Sequence, residues 1–244
     1  MDGGLKMVHM PSITLGLKIA WVKRLLDESN VGQWKCFYDH YLAPFGGNLL
    51  WYSNIDKADA RVVSIKNAFI RDVAQSWASL TLDTDINIAH CKQQIIWNNT
   101  MVRDRQKMLF IKSWYEKGIF KLSDLLDENG NIYTFFEFKN KHKFDCNFLE
   151  FYTVKTAIPH NWKRNIPKCT EVILTSQETM IKNIMKMTRV CRYIHSLSVQ
   201  QMFNPPKAID KWNTLLNVPN LDWSKICLVP IKFLFINTYS LFSV

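Results

Sequence analysis

Two short phrases constrain this chain more than any other feature. Thr134-Phe135-Phe136-Glu137 and Thr175-Ser176-Gln177-Glu178 each set a threonine hydroxyl three residues ahead of a glutamate. At a helix start the hydroxyl and the carboxylate satisfy each other's free backbone N–H groups, so each phrase predicts where an α-helix begins. Apolar residues recur at helical spacing elsewhere. Leu17, Ala20, Trp21 and Leu25 predict a helix over 13–28, and Ile65, Phe69, Val73, Trp77 and Leu80 form one stripe over 60–80. Further helices are expected over 31–42, 107–117 (stopped at Gly118), from Thr134 to about 143, over 146–157 ahead of Pro159, and over 207–216. The stretch 83–103 reads as irregular with a short strand at Gln94–Trp97, 125–131 as a turn, and 160–175 as loop or short strand. The most regular helix is expected over 177–197, before Asn204-Pro205-Pro206 breaks the pattern. The fold class is therefore mainly α, an irregular helical domain or domains with few short strands. Nine Trp and fifteen Phe imply a core of large rings.

Charge is uneven. Of a net +10, residues 151–200 carry eight Lys/Arg against Glu171 and Glu178. On a helix over 177–197, Met180, Ile184, Met187 and Cys191 would share one face, with Lys182, Lys186, Arg189 and Tyr193 opposite. Cations in line with an aromatic suit successive phosphates and a stacked base. The same pattern also describes a solvated basic face, and the charge alone does not separate the two. Arg192, on the same helix, and Trp162-Lys163-Arg164, after a proline turn, are further nucleic-acid candidates. Lys139, Lys141, His142 and Lys143 end a helix, where cations complement the dipole.

Catalytic and metal chemistry find little here. There is no Asp-Asp pair, GxxxxGK[ST], GxGxxG or GxSxG. Asp83-Thr84-Asp85 and Asp56-x-x-Asp59 lack the strand-turn-strand setting of a two-metal site. Cys36 with His40, and Cys191 with His195, sit four residues apart but too distant in sequence to suggest one zinc site. The six cysteines contain no CxxC, and MDGGLKMVHM has no secretory core, so an intracellular protein, cytoplasmic or nuclear, with free thiols is expected. The sequon Asn98-Asn99-Thr100 then carries little meaning. Residues 226–244 are apolar but interrupted by Pro230, Lys232 and Asn237, which favours a buried segment over a membrane span. No cofactor, metal or membrane is expected.

An ordered series of phrases resembles one family. It runs through Gly3-Gly4-Leu5-Lys6-Met7, the stretch from Leu17 to Leu26, Gly32-Gln33-Trp34, Ile96-Trp97-Asn98-Asn99 and Trp114-Tyr115-Glu116-Lys117-Gly118-Ile119. It continues through Asp124 to Gly130, Glu137-Phe138 and Ala157-Ile158-Pro159-His160-Asn161-Trp162. Together they resemble the region after the reverse transcriptase core in LINE-type (non-LTR) retrotransposon polyproteins. The family's (Y/F)xDD acid pair and distal Cys/His segment have no counterpart here, and the likeness ends after Pro230-Ile231-Lys232. The resemblance implies a truncated, non-catalytic fragment: a post-polymerase linker-like helical region over 1–158, a basic helical region over 175–232, and an aberrant apolar tail over 233–244. Expected partners are RNA or DNA, bound without sequence preference. A structural module packing on a polymerase core in another chain is the rival expectation, and a decayed gene product is a third.

Overall fold

The computed structural model describes residues 10–84, 88–166, 173–190, 193, 194 and 197. The architecture is mainly α. Its helices are α1 (Met10–Leu26), α2 (Trp34–Leu42), α3 (Leu49–Tyr52), α4 (Ala60–Val63), α5 (Ala68–Thr81), α6 (Lys112–Glu116), α7 (Phe135–His142), α8 (Phe148–Ala157), α9 (His160–Asn165) and α10 (Ser176–Lys186). The one sheet among the described residues is a two-stranded hairpin, β1 (Arg103–Asp104) antiparallel to β2 (Lys107–Met108).

Both capping boxes form. Thr134 opens α7 and Thr175 opens α10, each accepting from the glutamate's N–H while the glutamate accepts from the threonine's N–H. Gly118 ends α6 in the left-handed region at φ +80°. Its N–H donates to the Tyr115 carbonyl at 2.9 Å, and the Ile119 N–H reaches the Trp114 carbonyl at 3.1 Å. This paired closure needs a residue without a Cβ penalty, which is why glycine stands there. The turn over 125–131 also forms, closed by Asp127 N–H to the Asn131 carbonyl at 2.8 Å.

Other expectations are corrected. On α1 the buried face is Ser12, Gly16, Ile19, Val22 and Leu25, whereas Leu17 is exposed. The apolar residues of α1 span more than one face, and packing against α5 selects this one. The stripe over 60–80 is split, because the Asn67 side chain accepts from Ile70 N–H and starts α5 afresh. Ile65 is buried between the helices and Phe69 lies out at the surface. The expected helix over 107–117 begins as the second strand of the hairpin, and only Lys112–Glu116 is helical. The expected strand at Gln94–Trp97 is reduced to a single bridge between Ile95 and Lys121. In place of the loop expected from 160 onward, Pro159 caps α9, which drives Trp162 inward.

The helix expected to be most regular, over 177–197, is also broken. α10 stops at Lys186, and Met187 is extended at φ −83°, ψ 130°. The cause is phase. At about 100° per residue, Ile181 and Val190 would stand on opposite sides of one continuous helix. Both are buried in the same core, as is Ile194, and the break at Met187 lets the chain bring all three inward.

Two apolar cores result. The first joins α1, α2, α5 and α10 around Trp51, Trp77, Ile19 and Leu42. The second surrounds Trp114, whose ring meets Phe138 at 4.8 Å, Trp97 at 6.0 Å and Phe151 at 6.5 Å. Between them runs a buried polar seam. The Gln177 amide donates to Asn54 Oδ1 at 3.0 Å and to the Thr81 carbonyl at 2.7 Å. The Asn54 side-chain amide in turn donates to the Asp83 carbonyl at 2.9 Å, and the Asn54 backbone carbonyl accepts from Thr100 N–H at 2.7 Å. Lys121 pairs with Glu178 at 2.9 Å on the same line. Ile181 and Ile184 of α10 pack in the first core with residues of α1, α2 and α5. The expected helix at 207–216, the apolar tail and Cys191 with His195 lie outside the described residues.

Candidate nucleic-acid interface

The break at Met187 decides what the basic residues can do together. Lys182 and Lys186 are exposed on α10, one helical turn apart. Arg189 is exposed as well, but it follows the extended Met187, so the straight four-residue row with Tyr193 does not exist. Tyr193 packs against the first core, and its hydroxyl accepts from the Asn183 side-chain amide at 3.1 Å. Arg192 lies outside the described residues.

The same break creates a cluster that periodicity does not reveal. The Lys23 ammonium donates to the Met187 carbonyl at 2.5 Å. This contact joins the C-terminal ends of α1 and α10, whose last turns carry Lys23 and Arg24 on one helix and Lys186 on the other. The Arg24 guanidinium lies 4.8 Å from the centre of the Trp21 ring. Two helix C-termini meet here, and their dipoles favour positive charge. Asp27, just past the end of α1, is occupied by Ser29, whose hydroxyl and N–H hold its carboxyl below the usual range.

The second predicted group separates into parts. Trp162 is only 1% exposed inside the second core. A ring with no accessible face cannot stack on a base, so its assignment as a nucleic-acid contact is corrected. Lys163 is half-buried, and burial, with Lys155 nearby, pushes its ammonium below the usual lysine value. Arg164 is exposed. Lys155 belongs to the basic stretch 151–200. Its spacing from Lys163 carries no periodic signal, and only the turn at Pro159 folds α9 back toward α8. The α10 group and the α9 group sit on different cores.

Among the described residues, no group of three or more His, Cys, Asp or Glu is placed to hold a metal ion. Asp59 caps α4, and its carboxylate lies 4.0 Å from Arg103. These residues edge a cleft of about 560 Å³ with Asp56, Arg61 and Lys107. Arg61 is spent on Asn98 Oδ1 at 2.8 Å and the Pro44 carbonyl at 2.7 Å, so it braces the loop rather than the cleft. No helix of the described residues is long and apolar enough to cross a membrane. No protein-family model, curated protein or solved structure matches the chain.

Proposed function

We propose that this chain is a non-catalytic, nucleic-acid-binding module derived from a LINE-type retrotransposon polyprotein. Its phosphate contacts centre on Lys23, Arg24, Lys182, Lys186 and Arg189. The observation that carries the reading is the Lys23–Met187 contact, which gathers cations from two distant segments at one exposed end of the first core. The net charge of +10 supports it, because a surplus of this size draws polyanions and raises their rate of encounter. The ordered likeness to the LINE post-polymerase region supports nucleic acid over other polyanions.

Fluorescence anisotropy with labelled single-stranded RNA and DNA, over a salt series, tests the proposal. Binding should weaken steeply with salt. Lys23→Glu with Lys186→Glu should flatten the slope of log K against log salt by roughly 1.4, about 0.7 for each lost phosphate contact on a single strand. Binding that ignores salt, or a slope the double variant leaves unchanged, refutes it. Association with a reverse transcriptase core without salt dependence would favour the packing module.

A further inference from the structure

The largest exposed rings of the described chain lie together, away from the α1–α10 end. Phe136 is 75% exposed, Phe148 55% and Tyr152 57%. They form a connected series through half-buried Phe135, which meets Phe136 at 5.6 Å and Phe148 at 5.3 Å, both edge to face. Phe148 and Tyr152 lie one turn apart on α8 with centroids 6.3 Å apart and planes 23° apart. A flat group stacked on one of these two rings is nearly parallel to the other. Beneath them, Phe135 rests on buried Phe151 at 5.7 Å, so the series has a fixed base.

Its surroundings are positive. Residues 135–164 carry six Lys/Arg against three acids, Glu137, Asp145 and Glu150. Each acid is engaged within the fold. Glu137 takes the Thr134 N–H and hydroxyl, both at 2.8 Å; Asp145 takes Lys139; and Glu150 takes the Trp114 indole N–H at 3.3 Å. Lys155, one turn beyond Tyr152, holds its ammonium 3.3 Å from the Tyr133 carbonyl and 5.8 Å from the Phe151 ring, with Lys163 close by.

Exposed large rings cost solubility, and one arrangement that repays them is a stacking platform flanked by cations. Phosphates take the cations and unpaired bases take the ring faces, which needs no particular base. A purely apolar protein partner would be poorly served by the surplus charge around the rings. We infer that the α7–α8 face binds single-stranded nucleic acid by stacking unpaired bases on Phe136, Phe148 and Tyr152, with Lys155 and Lys163 on the backbone. This rests on the nucleic-acid reading above and adds a second contact surface with a defined substrate class.

The test uses the full chain and three labelled probes: a single strand, an abasic strand of equal phosphate number, and a duplex. The single strand should bind roughly tenfold or more tighter than the abasic strand, given what each stacked base contributes. Phe136→Ala with Phe148→Ala and Tyr152→Ala should abolish that preference while leaving the salt slope intact. A thermal melt close to wild type shows that the variant folds, and Phe148→Tyr should retain the preference. Salt-sensitive binding with no preference for bases, or a preference that survives the triple variant, overturns this inference and leaves the phosphate reading standing. Failure to bind any probe overturns both. Self-association in gel filtration that the triple variant abolishes would give the face to a second copy of the chain and overturn the inference.

Discussion

Trp162 offers the sharpest separation between a fold role and a binding role. Consider Trp162→Ala. The ring is 1% exposed and lies in the second core with Trp97, Trp114 and Phe151. Burying an indole removes about 200 Å² from water, which at about 25 cal/mol per Å² gives an upper figure of about 5 kcal/mol. Truncations of buried aromatics to alanine cost about 3–5 kcal/mol, because the cavity only partly closes. For a chain of this length, 1 kcal/mol lowers the melting temperature by about 2–4 °C, so a drop of about 6–20 °C is expected. Urea denaturation followed by circular dichroism measures the stability, and anisotropy at a temperature where the variant stays folded measures the affinity. Oligonucleotide affinity of the folded variant should match wild type within about twofold, which is below 0.5 kcal/mol. A stability loss below about 1 kcal/mol together with a tenfold loss of affinity would show that the ring contacts nucleic acid and would refute its role in the core.

Two further outcomes follow from the seam and the caps. Gln177→Ala removes the donor shared by Asn54 Oδ1 and the Thr81 carbonyl; the expected cost is about 1–3 kcal/mol, and native-state hydrogen exchange should show α10 losing protection before the second core, whereas unchanged α10 protection would mean that the seam does not hold it. Glu137 is held below its ordinary value of 4.5 by the Thr134 N–H and then its hydroxyl. The stabilisation is therefore full above that value and lost as pH falls through the lower folded pKa. Glu137→Gln should be less stable than wild type near neutrality, with the gap closing as pH falls through the lowered pKa of the folded carboxyl, and a gap that does not narrow as the solution is acidified would refute the role of the charge.

Both helix starts at Thr134 and Thr175 were legible in the sequence, because a capping box is satisfied within four residues and needs no partner from afar. So were the stop at Gly118, the turn at 125–131 and the mainly helical class. Exposure of Lys182, Lys186 and Arg164 was also readable, since each falls beside rather than within the apolar pattern. What local pattern could not decide was which of two apolar faces a helix buries. On α1 the choice of Ile19 and Val22 over Leu17 depends on how α5 lies along it. The same limit hid the break at Met187. A helical wheel drawn through 177–197 assumes one phase, while the first core demands Ile181, Val190 and Ile194 together. Trp162 carried a signal that fits an anchor and a stacking ring alike, and only its place on the inward face of α9, in the second core, separated them. The Lys23–Met187 junction joins residues 164 positions apart, and the packing of α7 on α8 joins Phe135 to Phe148 and Phe151 across two helices. Contacts of that kind are set by how elements stack after they form, and periodicity along the chain carries no record of them.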